Sequence, residues 1–419
     1  MNRLSNSLIN RFPALASRDF IIFLVGQFVS VVGTWMQSTA QPYLAFRISG
    51  RPFDLGLIGF ATTLPTLLLA LPAGVLVERW DKRKTVIIFQ AAMALLAFIL
   101  GILTLSGHIQ IWHIAVIAFL FGMASSVEIT ARQSMLIELT GRAGLPSAIA
   151  LQTTVFNLGR VLGPSLAAPF MAAGSEGTAF LLNGFSFIFV ILGLFVARTR
   201  YTVPRDSAEG RTLRMEFGEG MSYIRRNRVV SSVILMSALV GFFGMPLLQQ
   251  TPTLGRDVLQ TLADTEKLVA ERTSQLYIAQ GVGALGAALL AAYFSSSRRK
   301  GWWLVAGQVA FILGMLWLSR ISSSSLALAL LALIGWGSVT QLVTMNTLIQ
   351  IMVPNGLRGR VFATYLWAFQ GVAPFGSLLV GWMVQVWKLP ATMLACSLLL
   401  LLSFLSIHLQ NPNLRVSEG

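Results

Sequence analysis

Residues 85–105, TVIIFQAAMALLAFILGILTL, carry no charged side chain, and a run of this kind decides the solvent in which the chain folds. As a helix, about 20 apolar residues cross the roughly 30 Å hydrocarbon core of a bilayer. No water reaches that core, so a crossing segment must satisfy its backbone N–H and C=O groups internally, as an α-helix does. The pattern recurs along the chain. Spanning helices are predicted at 20–46, 54–77, 85–105, 111–134, 146–172 and 178–197, then at 229–251, 274–296, 301–319, 325–347, 360–386 and 390–409. Between the two sets lies RTRYTVPRDSAEGRTLRMEFGEGMSYIRRNR, residues 198–228, read as a solvated basic tether. The expected organisation is an N-terminal six-helix bundle (1–197), a basic cytoplasmic linker (198–228) and a C-terminal six-helix bundle (229–419).

Charge then sets the orientation. Only 11% of the 419 residues are charged, against about 25% in soluble domains. The net charge of +15 comes from short basic pieces between apolar runs, not from one basic face, which argues against a nucleic-acid partner. With the N-terminus inside, 23 of the 31 Lys and Arg fall on the cytoplasmic side and 7 outside, so both termini are predicted cytoplasmic. The polar, basic N-terminus reads as lacking a cleavable signal. The single cysteine, Cys396, forbids an intrachain disulfide, and His108, His113 and His408 form no metal-ligand spacing, so no cofactor is expected.

The two halves echo each other. A shift of 212 places Leu136, Gly144, Gly159, Ser165 and Met171 on Leu348, Gly356, Gly371, Ser377 and Met383. That offset is close to half the chain, as two related bundles with pseudo-two-fold symmetry require. Internal repeats around a central site are the architecture of secondary transporters.

GVLVERWDKRK, Gly74 to Lys84, resembles the loop signature between the second and third helices of the major facilitator superfamily. Gly74, Leu76, Arg79 and Arg83 match it, while Glu78 and Asp81 stand where that family has Asp and Gly. The resemblance implies a gating loop, in which the acid holds the guanidinium and helix ends of the facing half. GRVLGP, Gly159 to Pro164, resembles the G-x-x-x-G-P element of the superfamily's exporters, followed by Ala167 and Ala168 where glycines are usual. Gly159 and Gly163 lie on one helix face and Pro164 removes a donor, which predicts a close-packed hinge between spans of the two halves. With GTWMQ (33–37), the whole chain is similar to the enterobactin-exporter-like and macrolide-efflux-like permeases.

Beyond their first residues, the predicted spans hold three charges: Glu128, Arg132 and Arg160. Such groups are functional candidates by default. Glu128 and Arg132 stack at i,i+4, and Arg160 sits near mid-membrane within reach of Glu128 or an aqueous cavity. Glu128 is a candidate proton carrier; a static ion pair tying the two spans is the alternative. Gln27, Trp35, Gln37, Gln152, Asn157, Gln249, Gln280, Gln341, Trp367 and Gln370 are candidate cavity residues, suited to a neutral or amphipathic guest, although interhelical hydrogen bonds account for glutamines equally well. No P-loop, G-x-S-x-G elbow or metal cluster points to an enzyme or an ATP-driven pump.

The expectation is a monomeric secondary exporter of an amphipathic small molecule (siderophore, macrolide or drug). It would sit in the bacterial inner membrane with H+ as coupling ion; an importer or lipid flippase is the alternative.

Overall fold

The computed structural model describes residues 12–197, 213–260, 265–293 and 300–412, apart from a few side chains within helices. Regular structure among them is entirely helical. The elements are α1 (Arg18–Ser49), α2 (Pro52–Arg79), α3 (Lys82–Leu105), α4 (Ile111–Ala172), α5 (Glu176–Val196), α6 (Leu213–Arg226) and α7 (Arg228–Leu239). After a winding stretch follow α8 (Glu266–Tyr293), α9 (Lys300–Leu318), α10 (Ser324–Met352), α11 (Asn355–Gln370) and α12 (Ala373–Gln410). Ten helical stretches of the described residues are long and apolar enough to cross a membrane.

The expected gap between 134 and 146 is absent, because α4 runs 62 residues and is interrupted only at Gly141 (φ 67°, ψ 175°). That backbone region is open essentially to glycine alone, so one residue replaces a loop. Lys388 plays the same part in α12 at φ 68°, and it is the one non-glycine with positive φ among the described residues.

The stretch after α7 shows why proline matters. A π turn covers Val240–Gly244 and a second covers Leu254–Val258, with Pro246 and Pro252 between them. Pro252 cannot donate to the carbonyl of Leu248, and the Thr251 hydroxyl donates to it instead at 2.7 Å. Between the predicted spans 229–251 and 274–296 the described chain is helical at both ends: its start is wound, and α8 begins at Glu266.

The chain forms two compact units, Met1–Leu44 with Leu64–Asp206, and Ala45–Thr63 with Ser207–Gly419. In the first, a short 3-10 turn (Pro13–Ala16) docks beside the Gly141 kink. The Ala14 N–H donates to Ser147 Oγ at 2.8 Å, and Ser17 Oγ donates to the carbonyl of Leu139 at 2.8 Å. The N-terminal segment thereby satisfies backbone left open by the kink. Phe20, Phe23, Ala131, Met135, Leu139 and Leu194 are buried around it.

In the second unit, α8 lies along α10 so closely that a Cβ on Gly283 would meet the carbonyl oxygen of Ala332 at 1.8 Å. A Cβ on Gly335 would meet that of Gln280 at 2.1 Å. Where lipid supplies no hydrophobic drive between helices, such contact is the main source of association. The predicted solvated tether is folded from residue 213 onward. In α6, Ile224 is buried, Tyr223 Oη donates to the carbonyl of Met352 at 3.2 Å, and Glu219 pairs with Arg360. Residues 198–212 lie outside the described residues.

Gly141→Ala forces a Cβ into a disfavoured backbone region and is expected to destabilise the purified protein by about 1–3 kcal/mol, read as a lower thermal midpoint. Gly286→Ala, a helical site with open space around the new methyl, should be neutral or stabilising by up to about 1 kcal/mol. Equal responses of the two variants would contradict the role given to the kink.

Candidate functional site

The kink at Gly141 builds the site. In a straight helix Arg132 and Gln152 would stand about 30 Å apart. Here Arg132 Nη1 donates to Gln152 Oε1 at 3.4 Å, so the second part of α4 folds back on the first. Glu128, 3% exposed, accepts from Arg132 Nε at 3.1 Å and 3.4 Å on its two oxygens. It also accepts at 2.9 Å from Nε2 of Gln90, which α3 supplies. The acid is thus held by one cation and one amide, the arrangement that offsets burial of a charge. Gln90 Oε1 and Gln152 Nε2 are buried and have no partner among the described residues, so one spare acceptor and one spare donor flank the pair. Next to it, Thr66 and Ser126 share a hydroxyl–hydroxyl bond of 3.1 Å.

Arg160 does not join this network. Its guanidinium lies over the ring of Trp35, 5.4 Å from the centroid, while Glu128 is occupied by Arg132 and Gln90. The G-x-x-x-G face next to it also has a different partner from the one expected. A Cβ on Gly163 would meet the Cβ of Trp35 at 2.4 Å and the backbone nitrogen of Met36 at 2.8 Å, and one on Gly159 would meet Val31 at 2.6 Å. The close joint therefore binds α4 to α1 inside one unit, and does not join the two halves. The reason is local: the groove left by two glycines receives α1 at Trp35, whose backbone and Cβ lie against Gly163 and whose ring edge lies against Gly159.

The remaining cavity candidates divide between packing and open polarity. Gln37 donates to Gln41 at 3.1 Å and accepts from Asn183 at 2.7 Å, a tie from α1 to α5. Asn157 donates to the carbonyl of Thr153 at 2.9 Å. Gln249 Oε1 accepts from Ser377 at 3.2 Å, in the space left by Gly59. The backbone of Gln280 packs against Gly335. Gln27 is buried with an unpartnered Oε1, and Gln341 is fully buried with neither amide atom partnered among the described residues. Trp367 and Gln370 are exposed.

In the loop, Asp81 caps α3 by accepting from the backbone N–H of Lys84 at 2.9 Å. Arg83 Nε donates to the carbonyl of Leu194 at 2.8 Å and Nη2 to that of Phe195 at 3.2 Å, closing the end of α5. Lys82 pairs with Glu138 at 2.6 Å. The acid of this loop was expected to hold groups of the facing half; the described bonds of Asp81 and Arg83 lie within their own unit. The side chains of Glu78 and Arg79 lie outside the described residues, and Gly74 lies within α2.

Sequence reasoning passed over Gln90, Asn183 and Glu138. A lone glutamine in the otherwise apolar run 85–105 was the available signal for the first. Among the described residues no group of three or more His, Cys, Asp or Glu is placed to hold a metal ion. Buried His408 instead pairs with Gln308 at 2.8 Å, and Gln308 reaches the sulfur of Met236.

Removing only the cation should be costly. Arg132→Gln is expected to destabilise the purified protein by about 3 kcal/mol, and the double variant Glu128→Gln/Arg132→Gln to recover at least half of that loss. Additive losses in denaturant titrations would contradict the pairing.

The model of a family described as "Transmembrane secretion effector" matches residues 9–418. The chain is 26% identical to the multidrug efflux pump Tap of Mycolicibacterium fortuitum, over 94% of this chain and 96% of that protein. It is 24% identical to the enterobactin exporter EntS of Salmonella choleraesuis, over 91% of this chain and 89% of that one. The crystal structure of the nucleoside transporter NupG superposes with a TM-score of 0.74 at 10% identity, covering 94% of this chain and 98% of that one, a likeness of fold. The chain belongs to the transmembrane secretion effector family of the major facilitator superfamily, whose members are transporters and not enzymes.

Proposed function

We propose that this protein is a secondary active exporter of an amphipathic small molecule, driven by proton antiport through alternating access in a bacterial inner membrane. The reading includes twelve spans in two six-helix bundles, and helix length supports it. A 62-residue helix would be about 93 Å long, three bilayer cores, so the break at Gly141 makes two antiparallel spans of α4. Lys388 divides the 54-residue stretch Leu357–Gln410 in the same way, which brings the ten stretches to twelve. Both termini are then cytoplasmic by the distribution of Lys and Arg. The protein acts as a monomer.

The observation that carries the coupling is Glu128, buried and bonded to Arg132 and Gln90 with spare polar atoms beside it. Arg132 is already bonded to Gln152, and spare polar atoms lie beside the pair, so the ionised carboxylate of Glu128 is open to a polar group of the guest; a proton on the same oxygens removes that charge and expels the guest. One proton and one guest thus compete for the same carboxylate, and their mutual exclusion makes the two fluxes run in opposite directions. Relatives named for drug efflux and enterobactin export support the outward direction.

The test uses inside-out vesicles, an imposed pH gradient and a panel of cationic, neutral and anionic amphipathic dyes. The wild type should concentrate at least one dye, collapse of the gradient should abolish this, and Glu128→Gln should lower the gradient-driven rate by about tenfold or more. A normal rate in Glu128→Gln would overturn the proton role.

A further inference from the structure

Among the described residues Arg160 is a cation without a counter-ion. Its interactions among the described residues reduce to the face of Trp35, 5.4 Å from the ring centroid; it makes no ion pair and no hydrogen bond. Of the acids placed in the same unit, Glu128 is held by Arg132 and Gln90, Glu138 by Lys82, and Asp81 by the first turn of α3. About 18 Å of helix separates Arg160 from the end of α4 at Ala172, so the charge lies well inside the apolar stretch. A cation at such depth is costly, and a single aromatic face offsets only part of that cost. The difference is the room an anion would fill. Cations do not face lipid at this depth, so the guanidinium faces the interior of the bundle. A lipid headgroup phosphate cannot reach so deep, which leaves the transported molecule as the source of the anion.

The surroundings add a second requirement. Trp35 is fixed from behind, because Gly159 and Gly163 of α4 receive it. Phe156, one turn before Arg160, meets Trp35 edge-on at 5.3 Å and 70° and is half-exposed. Arg160 and Phe156 share one helix face at i,i+4. A planar anion can therefore take the guanidinium fork while its ring packs on the open side of Phe156.

We propose that Arg160, with Trp35 and Phe156, forms a subsite for an anionic aromatic group of the exported molecule. This rests on the export reading above and names its substrate class, in place of the neutral guest that the glutamines alone imply.

The experiment measures equilibrium binding of three matched probes, naphthoate, naphthamide and naphthylmethylammonium, to the purified full-length protein in lipid nanodiscs. The wild type should bind naphthoate about tenfold tighter than naphthamide, and the ammonium most weakly. Arg160→Gln should lose about tenfold for naphthoate while naphthamide changes less than about twofold; Arg160→Lys should keep part of the anion preference; Trp35→Leu should weaken both. No naphthoate preference in the wild type, or an unchanged one in Arg160→Gln, overturns the subsite. Should Arg160→Gln lose naphthamide as well, the wild-type ordering and Arg160→Lys decide in the same way. Binding is read without a gradient, so normal export by Glu128→Gln would sink the coupling alone, and a missing anion preference with intact dye export would sink the subsite alone.

Discussion

A carboxylate enclosed by apolar helices survives as an ion only where cations and amide donors replace the water it has lost. Glu128 has both. Arg132 comes from one turn along α4, and Gln90 comes from α3. Gln152 completes the group, and it reaches Arg132 only because α4 folds back at Gly141. The backbone geometry of one glycine and the solvation of one acid are therefore a single problem. The N-terminal segment joins it as well, since Ala14 and Ser17 satisfy polar groups on either side of that kink.

The same economy governs helix contact. In lipid, helices gain by approaching until their backbones touch, and they do so where side chains vanish. Gly159 and Gly163 admit α1 and fix Trp35, while Gly283 and Gly335 bring α8 and α10 together. The first pair has a chemical consequence that the second lacks, because it holds an aromatic face beneath the guanidinium of Arg160. Two cations in one unit thus differ in kind: Arg132 is matched by an acid of the protein, and Arg160, among the described residues, is matched only by a ring.

Much of this was legible from the sequence. Apolar length and the absence of charge marked the spans, and the i,i+4 spacing of Glu128 and Arg132 marked their pairing. The motifs at 74–84 and 159–164 marked the family. What escaped was three-dimensional. Nothing in the spacing says that Gln90 faces Glu128, since one glutamine in a greasy run carries no direction. The partner of the Gly159–Gly163 face was misjudged because a small-residue stripe states how close a neighbour comes and not which neighbour it is. Asp81 and Arg83 look like a latch in sequence, yet helix ends in their own unit absorb them, because open carbonyls and amides there are the nearest polar groups. The segment 213–226 read as a tether, since its polar composition hid the apolar contact that Ile224 makes.

Infrared difference spectroscopy of the reconstituted protein tests the centre of this account most directly, because a protonated carboxyl group inside a membrane has a carbonyl stretch separate from the ionised form. A carbonyl band should appear as the medium is acidified, be missing in Glu128→Gln, and change position in Gln90→Leu, where the amide beside the acid is gone. A spectrum without any band traceable to Glu128 across the accessible pH range would mean that this carboxylate never takes up a proton, and the ion pair with Arg132 would then be a fixed strut.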